Sequence, residues 1–120
     1  QARTILNFGF TTDAVTNEAV ESGEANRKLP AIDSQAVVAF VRTIGLKSGD
    51  VQALTLRNPA GQVIAENRAP ALGRNKAQVL LFAGKKRAKP NWDQGIYTAS
   101  YVVSRDDTSL LEKRFQFDLR

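Results

Sequence analysis

Lys85, Lys86, Arg87 and Lys89 place four cations within five positions, and the chain's one tryptophan, Trp92, follows three residues later. Clustered ammonium and guanidinium groups attract phosphates, anionic headgroups or acidic wall polymers, and a neighbouring indole can stack on a base or a sugar. The same residues also suit a solvated loop joining two strands, with Trp92 folded back onto the edge of a sandwich. No second aromatic interleaves with the cations, which argues against nucleic acid as the partner. Lys85, Lys86, Arg87, Lys89 and Trp92 are therefore the candidate binding residues.

Other chemistries are closed off by composition. The 120 residues include no Cys, no His and no Met. Without Cys there is no disulfide, thiolate nucleophile or iron–sulfur ligation. Without His there is no Ser-His or Cys-His pair and no zinc site of the usual kind. Carboxylates are the remaining acid/base groups. Asp106-Asp107 reads as turn chemistry, because Asp bonds its own backbone there. Glu18, Glu21 and Glu24 would line one face of a helix and repel one another. A glycosidase pair needs ~5–10 Å across a cleft, and no such cleft is announced. The stretch 13–24 lacks the alternating ligands of a calcium loop. The expectation is a non-enzyme with no catalytic residue, cofactor or metal.

The elements that must position the basic tract are strands. Apolar residues alternate with polar ones through 4–10 (Leu6, Phe8 and Phe10 on one face), 51–58 (Leu54, Leu56) and 95–105 (Tyr97, Ala99, Tyr101, Val103 inward). The run 110–119 turns Phe115, Phe117 and Leu119 inward and Glu112, Arg114, Gln116 and Asp118 outward. The stretch 36–46 is nearly all apolar at first, as for a central strand covered on both sides. In 77–84 either Leu80 and Phe82 or Val79 and Leu81 face the core. Asn58-Pro59-Ala60-Gly61 is a turn that makes 51–66 a hairpin. The exception is 11–35, long and polar, read as a loop with a helical turn or as an ordered flap. Asp13 would cap a short helix there, and Ser22-Gly23 would end it.

About seven strands in 120 residues with no strong helix point to one all-β domain, a sandwich of two sheets. At 42% hydrophobic and 24% charged the composition is globular, and no apolar run approaches the ~18–20 residues of a membrane span. Charge is uneven under a formal net +5: residues 67–92 hold seven basic residues and no acid. The start Gln1-Ala2 suits a mature exported chain or a piece of a longer one, and the closing strand suits a module boundary.

Asp93-Gln94-Gly95-Ile96-Tyr97-Thr98-Ala99 resembles the Asp-x-Gly-x-Tyr-x-Cys run that opens strand F of immunoglobulin domains, with Ala99 in place of the Cys. That resemblance implies an immunoglobulin-like sandwich in which Tyr97 buries its ring and bonds a backbone group upstream. Trp92 precedes this strand rather than lying on the third one, so the pattern is immunoglobulin-like only. A wider stretch, roughly 36–119, carries Leu54-Thr55-Leu56-Arg57-Asn58-Pro59-Ala60-Gly61-Gln62-Val63-Ile64-Ala65-Glu66, Arg74-Asn75-Lys76-Ala77-Gln78, Phe82-Ala83-Gly84-Lys85-Lys86-Arg87 and Trp92-Asp93-Gln94-Gly95-Ile96-Tyr97. It resembles the β-sandwich domain that accompanies M23-type (lysostaphin-like) zinc metallopeptidase domains in Gram-negative exported proteins. The resemblance implies an exported accessory domain, periplasmic or in the cell envelope, that positions or covers a cell-wall peptidase domain. That family's catalytic zinc motifs contain His, so they have no counterpart here. The alternative is a stand-alone binding module for anionic polymers, wall glycans or nucleic acid, through the basic 85–92 loop. Oligomeric state stays open.

Overall fold

Strand β2 (Ala36–Leu46) carries large apolar side chains on both faces, and both faces are covered. Val37, Ala39 and Val41 point into the core, while Phe40, on the opposite face, is fully buried beneath Val20. The structure, a computed structural model, describes residues 3–12, 16–23 and 29–120. β2 lies between β1 (Thr4–Thr11) and β5 (Lys76–Lys86) in a three-stranded antiparallel sheet. A second sheet has four strands in the order β4 (Val63–Ala69), β3 (Val51–Arg57), β6 (Gly95–Arg105), β7 (Thr108–Leu119). This is the immunoglobulin-like arrangement, strands A-B-E on one side and C′-C-F-G on the other.

The core is the closure of the two apolar faces. Tyr97, Ala99, Tyr101 and Val103 of β6 and Leu54 and Leu56 of β3 meet Val37, Ala39, Val41 and Leu81 of the facing sheet. Phe10 reaches across to Phe115 and Phe117, with ring centroids 5.2 and 4.5 Å away. β5 turns Val79, Leu81 and Ala83 inward, opposite Thr43, Val41 and Ala39 of β2. Leu80 and Phe82 take the outer face, where Leu80 packs on the Val20–Phe40 cluster.

Leu6 departs from the expected face. A register shift between Ile5 and Asn7 puts Ile5 against the core and leaves Leu6 44% exposed; Phe10 is buried, while Phe8, 38% exposed, meets Phe115 at the edge with ring centroids 5.1 Å apart. One extra residue reverses parity beyond it, which is what a β-bulge does. Among its described residues, the 11–35 segment forms one short helix, α1 (Asn17–Glu21). Its cap is Thr16, whose hydroxyl accepts from the Ala19 amide at 3.1 Å, rather than Asp13, which lies outside the described residues together with Gln1, Ala2 and Glu24. Gly23 ends the helix at φ +79°, as the Ser22-Gly23 pair suggested.

Two tight turns set the register. Asp106 and Asp107 both have positive φ and join β6 to β7 across the Arg105–Thr108 pair, a two-residue hairpin of the kind that matches strand twist. At the other end of β6, Gly95 has φ +131°, and a Cβ there would lie 2.9 Å from Pro59. Only glycine lets the β3–β4 turn sit this close to the start of β6.

Candidate functional site

The basic loop is held at both ends by strand structure and in its middle by residues 32–35. The Arg87 amide donates to Gln35 O at 2.8 Å, continuing the β5–β2 pairing past Lys86. The Arg87 guanidinium donates to the Asp33 carbonyl. Trp92 donates twice to the same segment, from its backbone to Ile32 O and from its indole to Ser34 O, both at 2.7 Å. Its ring meets Tyr97 edge to face, with centroids 6.3 Å apart. Tyr97 in turn donates to Asp93 O at 2.8 Å, the tyrosine corner implied by the sequence. Burial, then the charge of Asp93, raises the pKa of the Tyr97 phenol above its ordinary value.

Beside this corner a cleft of about 300 Å³ opens at one end of the sandwich. Lys85, Arg87, Lys89, Asn91 and Trp92 line one side, and Asn58, Gln62 and Ile64 of the β3–β4 hairpin line the other. Three cations thus face one carboxylate, Asp93, which Lys89 already engages at 3.0 Å. The Asn58 side chain is spent on its own turn, accepting from the Ala60 and Gln62 amides.

Four of the five candidate binding residues therefore line this cleft. Lys86 does not: it is paired with Ala36 on β2, and strand alternation sets it on the face opposite Lys85. Asn91, Gln62 and Ile64 were not singled out from sequence. The turn at 58–61 was the available signal, but its approach to the basic loop depends on Pro59 resting against Gly95.

A second hollow of about 260 Å³ lies between Gly45–Lys47 and Asn75–Ala77, with Lys47 and Lys76 but no aromatic. Near it, Asp50 is fully buried. It accepts from Arg3 at 2.8 and 3.1 Å and from the Lys47 amide at 2.9 Å, and it lies 3.1 Å from Arg105. Burial opposes its charge, but the Arg3 hydrogen bonds, the Lys47 amide and the two guanidinium charges outweigh that, and its pKa lies below the ordinary carboxylate value. Arg105 Nε is buried without a hydrogen-bond partner among the described residues. The cluster is a structural pin, since its carboxylate is already enclosed by cations. Among the described residues no group of His, Cys, Asp or Glu gathers as a metal site, and no helix is long and apolar enough to cross a membrane.

Compared with family models, curated proteins and solved structures, the chain finds no match in any of the three.

Proposed function

We propose that this chain is a non-catalytic binding module that holds an acidic polymer strand, a wall glycan in the exported setting its sequence resemblance implies, in the cleft at the 85–92 loop. The observation that carries this reading is the convergence of Lys85, Arg87 and Lys89 on the Trp92–Tyr97 corner. Arg87 and Trp92 are tied to residues 32–35, so the site is preformed and little ordering entropy is lost on binding. Guanidinium and ammonium groups would take carboxylates. The amides of Gln62 and Asn91 would meet hydroxyl or acetamido groups.

Catalysis is not part of the proposal. Asp50 is enclosed by arginines, Asp93 is paired with Lys89, and Asp106 and Asp107 form a turn. Joined to an M23-type peptidase, the module would act as an accessory domain, placing the catalytic domain by gripping the wall polymer beside its substrate.

The test is co-sedimentation with purified peptidoglycan fragments and with an insoluble neutral glycan. The protein should be retained by the acidic material, less so as salt screens the attraction. K85E/R87E should lose most of that retention and K86E should keep it. Equal retention on the neutral glycan, or indifference to K85E/R87E, would overturn the reading.

A further inference from the structure

The outer face of the four-stranded sheet carries a charge pattern that matches itself. In register across β4-β3-β6-β7, one row reads Arg68, Ala53, Val102, Glu112 and the next Glu66, Thr55, Ser100, Arg114. The middle of both rows is small and half-buried, so the face is flat there. The four charges stand at its corners and are exposed. From the first row to the second, β4 carries positive then negative charge and β7 negative then positive. Among the described residues none of the four has an ion-pair partner within 4 Å; Glu66 accepts from Thr55 and Glu112 from Ser109.

A two-fold axis along the strands, lying in the plane between two such faces, sets β4 of one copy over β7 of the other. It puts Glu66 over the second copy's Arg114 and Arg68 over its Glu112, and symmetry repeats both pairs. Each isologous contact is attractive, and no like charges meet at the corners. In the adjoining row, Arg57 is folded against its own turn through Gly61 O at 3.1 Å. There it faces the second copy's Thr98 rather than another cation. Sheets stack face to face with ~30° between strand directions, which flat rows of Ala, Thr, Ser and Val permit.

We infer that this face is the self-association surface of the chain: two copies pack through the outer sides of their β4-β3-β6-β7 sheets, oriented by the Glu66–Arg114 and Arg68–Glu112 pairs. Four strands about 4.8 Å apart and some six residues long give roughly 300 Å² of flat face per copy. Both copies together bury roughly 600 Å², about half of what a stable specific interface needs, so the dimer is weak and concentration-dependent. The surface lies on β4, β3, β6 and β7 and does not depend on the basic cleft.

Sedimentation velocity over a concentration series tests it. The chain should shift toward twice its monomer mass as concentration rises, and the shift should shrink in high salt. R114E turns two attractive contacts into repulsive ones and should weaken association about tenfold. The swap E66R/R114E restores attraction in the proposed orientation and should recover most of the loss. In an orientation pairing Glu66 with Arg68, the same swap would set like charges together and make matters worse. K86E changes net charge as much as R114E but lies off this face, so it should leave association alone. A chain monomeric at every concentration, a K86E loss equal to that of R114E, or a swap that fails to recover would each overturn the proposal.

Discussion

Tyr97 and Tyr101 stand four residues apart on the same face of β6, yet their hydroxyls do different work. Tyr97 donates to one backbone carbonyl, Asp93 O, at the rim of the core. Tyr101 sits deeper. Its oxygen accepts from Thr43 at 3.0 Å and donates to Gln52 at 2.8 Å, and both partners are fully buried. Removing the first hydroxyl frees a carbonyl close to water, whereas removing the second strands two buried polar groups. Y97F should therefore cost about 1 kcal/mol of unfolding free energy and Y101F about 2 kcal/mol or more. Urea unfolding followed by Trp92 fluorescence measures both, and equal losses would contradict this account. Y97F should also loosen Asp93 beside Trp92, so its polymer retention should fall out of proportion to its small stability loss.

Among the elements, α1 is the one that cannot hold itself. Five residues lie well below the length at which a helix is stable in water. It is kept in place by Val20 buried on Phe40, with a smaller share from Glu21, half exposed, 3.2 Å from Arg42. V20D should detach this helix and open residues 16–23 to limited proteolysis while leaving most of the thermal transition intact, because the sandwich core lies on the other face of β2. Cleavage no faster than in the parent chain would show that other contacts hold the segment. The short helix and its end at Ser22-Gly23 were legible in the sequence; its burial on Phe40 was not, because that is a tertiary contact which no helical periodicity marks. Strands β6 and β7 were legible residue by residue, since one face of each is wet and alternation marks it. β5 was not, because its outer face is partly covered as well, and Leu80 and Phe82 looked as much like core as Val79 and Leu81. At the cleft, the cations and Trp92 were visible as a cluster. Which lysine faces the cleft depended on strand parity at the end of β5, and the hairpin side depended on Pro59 meeting Gly95.

For the molecule as a whole, stability is bounded at both ends of the pH scale by groups buried between the sheets or at their ends. Asp50 has a folded-state pKa below the ordinary value of 3.8, so the stability it contributes is present above that value. As pH falls through the folded pKa, the carboxylate protonates and Arg3 and Arg105 lose their partner. The net charge, already +5, climbs over the same range as carboxylates protonate and adds self-repulsion. At the alkaline end, burial pushes the Tyr101 phenol up to about 12 from an ordinary 10, against the lowering effect of its Thr43 hydrogen bond. The unfolded chain loses that proton first, so stability is whole below pH 10 and drains as pH rises toward 12. Melting temperature against pH should therefore show a plateau that falls below about pH 4 and above about pH 10. D50N should cost about 2 kcal/mol of unfolding free energy at neutral pH, which lowers the plateau, and should flatten the acid limb, because it removes the titrating group along with its ion pairs. Y101F should flatten the alkaline limb and leave the acid one alone. An acid limb as steep in D50N as in the parent chain would mean that general charge repulsion, not the Arg3–Asp50–Arg105 pin, sets the lower bound.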